Sequence, residues 1–108
     1  MEDCQASAQQ MMQDARENTI LDLRKPEDCR LGACPEAVNL WWKELERILE
    51  EDGGAGLSIP RDRPVYLICY TGETSDEFAQ RLRKLGYEAY SLAGGFRSYV
   101  RWRFAQGV

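Results

Sequence analysis

Histidine is absent from this chain. That absence excludes Ser-His and Cys-His dyads, imidazole general bases and histidine-ligated metals, so any nucleophile here must be activated by electrostatics. The four cysteines, Cys4, Cys29, Cys34 and Cys69, include no Cys-x-x-Cys pair, and no metal site is expected. No apolar run approaches the ~20 residues that cross a bilayer, so no membrane contact is expected. Met1-Glu2-Asp3 is acidic without an apolar stretch, from which no secretory leader is expected. With no mark of export, the thiols are expected to be reduced and the location cytoplasmic. A basic surplus is missing too: 14 Lys and Arg face 18 Asp and Glu, for a net charge of −4. Arg81, Arg83 and Lys84, and Arg97, Arg101 and Arg103, alternate with apolar positions, so they read as solvated faces rather than a nucleic-acid surface.

What is present fits one globular α/β domain over residues 1–108, with 44% hydrophobic and 30% charged residues. Ser7-Ala8-Gln9-Gln10 has the form of a capping box before a short helix whose inner side carries Met11, Met12 and Ala15. Thr19-Ile20-Leu21-Asp22-Leu23 reads as a buried strand, and Pro26 opens a short helix closed by Gly32 and Pro35. Short strands are expected near residues 4–6 and 37–40. Trp41, Leu45, Ile48 and Leu49 recur at helical spacing, which predicts an amphipathic helix over 41–51. One of Trp41 and Trp42 is expected in the core and the other at a partner surface or over the sheet edge. Val65-Tyr66-Leu67-Ile68-Cys69 is a continuous apolar run, typical of a parallel strand buried on both faces. A helix over 75–85 with Gly86 as its stop, a strand over 88–92 and a last helix bearing Phe96, Tyr99, Val100 and Trp102 complete the chain. Strands alternating with helices predict right-handed crossovers around a mostly parallel sheet, and in such sheets ligands bind beyond the carboxyl ends of the strands.

Cys69 stands at such an end. The segment Cys69-Tyr70-Thr71-Gly72-Glu73-Thr74-Ser75 joins a buried strand to a helix, and its small residues let the backbone curl. A curled loop turns its amides inward as an anion nest, and the helix behind it adds roughly half a positive charge. Together these are expected to stabilise a thiolate, or a persulfide, without a histidine. The plainer reading, on spacing alone, is a small buried hydrophobe that ends a core strand.

Five motifs in order resemble the rhodanese family. Ile20-Leu21-Asp22-Leu23-Arg24 with Pro26-Glu27-Asp28 is similar to its Asp-x-Arg signature and Pro-Glu turn. Gly32-Ala33-Cys34-Pro35-Glu36-Ala37-Val38-Asn39-Leu40 resembles its Gly-His-Ile-Pro-Gly-Ala-Ile-Asn segment. Residues 65–75 resemble the active-site strand and its Cys-x-x-Gly-x-Arg loop followed by Ser. Leu85-Gly86-Tyr87 and Leu92-Ala93-Gly94-Gly95 resemble its closing elements. The resemblance implies a three-layer α/β fold: a mostly parallel central sheet of four to five strands, with helices on both faces. It also implies a sulfurtransferase without cofactor. Cys69 would take sulfur from thiosulfate or another sulfane donor and pass it to a thiol, cyanide or a protein acceptor. Tyr70, Thr71, Gly72, Glu73, Thr74 and Ser75 would supply the amide cradle, and Asp22 and Arg24 would buttress it. For Arg24, an ion pair with Glu27 is expected in preference to substrate contact.

The chain departs from the pattern at Thr74, where many family members carry arginine. Glu73, Asp76 and Glu77 add carboxylates nearby, so thiosulfate is expected to bind less well than in arginine-bearing relatives. The alternative is a catalytically silent interaction or sensing module of the same fold. Phosphatase or arsenate reductase chemistry is not expected: the sixth position after Cys69 is Ser75, and no arginine follows until Arg81. Ala33 replaces the family histidine. Cys34 and Cys29 are read as packing residues, with resolution of a Cys69 persulfide as the sharper option, which requires Cα atoms within about 7 Å.

Overall fold

The computed structural model describes residues 4–107. Five strands form one sheet: β1 (Gln5–Ala6), β2 (Thr19–Asp22), β3 (Val38–Asn39), β4 (Val65–Ile68) and β5 (Ala89–Leu92). Their order is β1-β5-β4-β2-β3, and every pairing is parallel. Five helices accompany them: α1 (Ala8–Gln13), α2 (Pro26–Leu31), α3 (Trp42–Glu50), α4 (Glu73–Lys84) and α5 (Phe96–Ala105). A single 3-10 turn, Asp52–Gly54, follows α3.

The apolar run that forms β4 is buried throughout, because successive side chains enter opposite cores. Val65 and Leu67 join Leu21 and Ala89 against Leu45 and Leu49 of α3 and Phe78, Ala79 and Leu82 of α4. Tyr66 and Ile68 join Ile20 and Leu92 against Ala8 and Met11 of α1 and Tyr99 of α5. The sheet is therefore the middle of three layers, as its two apolar faces require. Asp22 pairs in register with Ile68, and the Leu23 amide donates to the Ile68 carbonyl at 2.7 Å. Both β2 and β4 thus deliver their carboxyl ends to one edge, where Cys69 follows.

Ser7 caps α1, accepting from the Gln10 amide at 3.1 Å, while the Gln10 side chain engages Tyr66. The two tryptophans do not divide into one core and one surface ring. Both are half-buried, and Trp42 packs on the α3–α4 core. The indole N–H of Trp41 is buried without a partner among the described residues. The Lys43 ammonium lies 5.2 Å and 5.6 Å from the two ring centres. No helix among the described residues is long and apolar enough to cross a membrane.

Candidate active site

Cys69 follows the last residue of the central strand β4, and its sulfur turns toward the start of α4. The Gly72 amide donates to Sγ at 3.0 Å and the Ser75 amide at 3.3 Å. The Ser75 hydroxyl stands 3.2 Å from the same sulfur. Helix α4 begins at Glu73, two residues before the expected start, so the curled loop is shorter than its sequence suggests. Gly72 is the cause. It adopts φ 101° at the helix cap, a left-handed conformation in which glycine alone is unstrained. Ser75 consequently lies in the first helical turn, whose amides have no partner within the helix. The expected cradle of amides from Tyr70 to Ser75 thus reduces, at the sulfur itself, to Gly72 and Ser75 among the described residues.

Two hydroxyls close the wall behind the sulfur. Ser75 Oγ lies 2.6 Å from Ser91 Oγ on β5, and both reach the Gly72 carbonyl, at 3.3 Å and 3.2 Å. Both serines are fully buried. Ser91 is absent from the expected site, since a serine inside Ala89-Tyr90-Ser91-Leu92 carries no motif. Its place follows from two facts: β5 pairs with β4, with Ser91 opposite Leu67, and Leu67 shares the α4-facing side with Cys69.

The loop is also held from below. The Phe96 amide, first of α5, donates to the Cys69 carbonyl at 2.8 Å. A Cβ on Gly95 would lie 2.4 Å from the Tyr70 carbonyl oxygen and 2.6 Å from that of Cys69. Backbone packs on backbone there, and no larger residue fits. On the outer side, the Tyr70 hydroxyl donates to Asp28 and accepts from the Lys25 amide at 3.2 Å, which ties the loop to α2. Partial burial and the Asp28 carboxylate push the Tyr70 phenol up.

Asp22 and Arg24 form a buried pair, with Arg24 Nη2 2.8 Å from Asp22 Oδ2 and Arg24 Nε 3.0 Å from Asp22 Oδ1. This corrects the expected Arg24–Glu27 pair. Residues two apart at the end of a strand point the same way, whereas Glu27 has already entered α2. Burial opposes the Arg24 charge, the Asp22 bonds more than offset it, and the net direction is up. The guanidinium also donates to the Gly32 carbonyl at 2.8 Å and stacks 3.6 Å from the Phe96 ring centre. The pair therefore fixes the loop after β2 to the residue that bonds Cys69, and the hydrogen bonds to the Cys69 sulfur among the described residues come from Gly72 and Ser75 instead.

All four cysteines are free. Cys34 is buried in the α1–α5 core, 3.8 Å from Met12 Sδ, while the Cys69 sulfur faces α4 across the sheet. Cys29 sits beside Asp22 and Arg24. Burial pushes both thiols up to about 11, with Asp22 adding to it at Cys29 and the Glu36 carboxylate at Cys34. Among the described residues, no group of His, Cys, Asp and Glu could hold a metal ion.

The site's carboxylates are peripheral. Glu73 and Asp76 occupy the first turn of α4, and Asp76 accepts from Gln80 Nε2 at 3.0 Å. Thr74 is half-buried in the same turn. The loop from Thr71 to Ser75 carries no cation of its own.

Comparison with known proteins agrees with this architecture. Residues 5–101 match the family model described as a rhodanese-like domain. A tRNA sulfurtransferase of Desulfurococcus amylolyticus is 35% identical over 83 residues, which are 77% of this chain and 15% of that protein. The chain therefore spans only a small part of that relative. Among solved structures, a rhodanese-related protein of Thermoplasma volcanium superposes with a TM-score of 0.74 at 22% identity, covering 91% of each chain. A human single-domain sulfurtransferase superposes with a TM-score of 0.71 at 22% identity, covering 93% of this chain and 97% of that one. With the family match spanning nearly the whole parallel sheet and the Cys69 loop, the chain belongs to the rhodanese-like domain family.

Proposed function

We propose that the chain is a sulfurtransferase or sulfur carrier that holds sulfane sulfur as a persulfide on Cys69. The observation that carries this reading is the convergence of the Gly72 and Ser75 amides and the Ser75 hydroxyl on one sulfur atom. Donors fixed around a sulfur stabilise negative charge there, because they are oriented before the charge develops. In the first step the Cys69 thiolate attacks the outer sulfur of a sulfane donor. A new S–S bond forms, the donor's own S–S bond breaks, and the donor remnant (sulfite, when the donor is thiosulfate) leaves with the electron pair. In the second step a thiolate, cyanide or a protein thiol attacks the outer sulfur and Cys69 departs as thiolate. The two steps need neither metal nor organic cofactor.

Asp22 and Arg24 act in this reading as positioning residues, through Phe96 and the loop after β2. Tyr70, Thr71, Glu73 and Thr74 shape the mouth without touching the sulfur. Intact-mass measurement after exposure to thiosulfate or polysulfide tests the reading. An added mass of one sulfur atom, absent in Cys69→Ser, supports it.

Cys69 as a residue is only 4% exposed, which favours a second reading as a silent interaction or sensing module. Absence of an adduct at Cys69 with every donor tried would select that module over the enzyme.

A further inference from the structure

The outer side of α3 carries a cavity of about 310 Å³, lined by Trp42, Lys43, Glu46, Arg47 and Glu50. The Trp42 ring, half-buried on the α3–α4 core, supplies its apolar wall. Glu46 and Glu50 stand one helical turn apart, so their carboxylates emerge on one side. Neither makes an ion pair among the described residues, whereas Arg47 is taken up by Glu44 and Glu51. The Lys43 ammonium lies 5.2 Å and 5.6 Å from the Trp41 and Trp42 ring centres. The indole faces at this end of α3 therefore already hold a cation, which indole does best among aromatic rings. One further group is left over. The Trp41 indole N–H is buried without an acceptor among the described residues, a state that native folds ordinarily avoid.

The cavity starts at the end of α3 nearest Cys69. The Trp42 amide donates to the Leu23 carbonyl at 3.0 Å, and the Leu23 amide to the Ile68 carbonyl at 2.7 Å. Two backbone steps, about 10 Å at strand spacing, thus separate Trp42 from the residue before Cys69. Helix α3 also shares its layer with α4, which the Cys69 sulfur faces. Charge is divided across the sheet. On this side, α3 with Glu51 sets four carboxylates against two cations. Glu73, Asp76 and Glu77 of α4 add three more, none in an ion pair among the described residues. The cations of α4 lie in its last turn, away from Cys69. On the other side, α5 carries Arg97, Arg101 and Arg103 and no carboxylate.

We infer that the outer side of α3, with the first turn of α4, docks a basic polypeptide segment, an arginine or lysine of which enters the cavity against Trp42 and beside Glu46 and Glu50. This names the partner class for the sulfur exchange proposed at Cys69 and rests on that reading for its meaning. The segment belongs to a protein that delivers or accepts sulfur, because the surface lies on the side that Cys69 faces. Its backbone offers the carbonyl that the Trp41 N–H lacks. Nucleic acid is repelled from the same face.

Anisotropy of a fluorescein-labelled peptide of alternating arginine and glycine, without cysteine, measures docking independently of sulfur transfer. Saturable binding is expected, and Glu46→Gln/Glu50→Gln is expected to raise the Kd about fivefold, as the loss of two exposed ion pairs implies. Glu17→Gln, an exposed carboxylate at other cavities, is expected to leave it unchanged. An unchanged Kd in the double variant, an equal loss in Glu17→Gln, no saturable binding, or equal binding of a glutamate-glycine peptide would each overturn the inference. Displacement of the peptide by a single-stranded RNA oligonucleotide would overturn it in favour of nucleic acid. A dimer in sedimentation that the double variant dissociates would overturn it in favour of a second copy of the chain. Loading of Cys69 is scored separately by intact mass. Loading without carboxylate-dependent docking sinks the docking surface alone, and docking without loading sinks the persulfide chemistry alone.

Discussion

Ser75 and Ser91 share a hydrogen bond of 2.6 Å in the wall behind Cys69, although they come from a helix and a strand sixteen positions apart. Each hydroxyl has one proton and can accept from another group. When Cys69 is a thiol, its proton is directed to Ser75 Oγ. When the sulfur is negative, Ser75 must turn its own proton toward it, and Ser91 then supplies a donor to Ser75 or to the Gly72 carbonyl. The pair can therefore serve both charge states without leaving a buried polar atom unpaired.

Ser91→Ala removes the group that completes this exchange. Hydrogen bonds to charged groups contribute about 1.5–3 kcal/mol. Ser91 acts one bond removed, so persulfide loading of Cys69 is expected to slow about tenfold, near the low end of that range. Fold stability should fall by about 1 kcal/mol, the usual net worth of a lost hydrogen bond. Loading kinetics by mass spectrometry and a urea midpoint measure the two effects. Loading at the native rate would remove Ser91 from the site.

Gly95→Ala is expected to be more damaging than its single methyl suggests. The new Cβ would enter the Tyr70 and Cys69 carbonyl oxygens at 2.4 Å and 2.6 Å, and those atoms are backbone. Gly95 also has φ 71° and ψ −156°, a region essentially restricted to glycine. Strain and overpacking each cost about 1–3 kcal/mol, so a combined loss of about 2–6 kcal/mol is expected in denaturant titration. Any folded remainder should load sulfur poorly, since the loop must shift. Gly32→Ala has no atom within 4 Å of its Cβ and serves as the comparison.

Asp22→Ala would leave the Arg24 guanidinium buried with its principal counter-charge gone. Breaking one side of such a pair costs about 3–5 kcal/mol. Asp22→Asn keeps the shape and some hydrogen bonding, and should cost less. Arg24→Lys keeps the charge but gives up the paired bonds and the flat contact with Phe96. It should therefore destabilise clearly, despite its conservative appearance. Thermal melts of the three variants check the order Asp22→Ala worst, Asp22→Asn mildest. Arg24→Lys melting with the native protein would show that the stacked geometry contributes nothing.

The sheet and the position of Cys69 were legible because burial on both faces forces continuous apolar runs, and Val65-Tyr66-Leu67-Ile68 is such a run. Tertiary contributions to the site were not. Ser91 enters it only through the parallel pairing of β4 with β5, a relationship that local spacing does not express. Helix α4 starts two residues before the 75–85 span because Gly72 caps it through a positive φ, which apolar spacing does not express. Arg24 pairs with Asp22 rather than Glu27 because the chain turns from strand to helix between residues 24 and 27. The arginines of α5 read as a solvated face, and their relation to Thr71 appears only once the glycine turn at 94–95 folds α5 under the loop.

The buried thiol of Cys34 gives the fold a defined alkaline weakness. Burial holds its proton up to about 11 in the folded chain, against an ordinary value near 9.0 when unfolded. Between those values the folded state binds more protons than the unfolded state, so stability falls as pH rises. The contribution is fully present below about 9 and is lost as pH passes about 11. Tyr99, pushed up to about 12 by its own burial and then by Cys34, extends the decline in the same direction. Urea midpoints for the native protein should therefore drop between pH ~8 and pH ~10.5. Cys34→Ala, which removes the titrating group, should show a shallower drop over that interval. Identical slopes would mean that Cys34 ionises in the folded state as it does in the unfolded chain, and that the α1–α5 core does not exclude its charge.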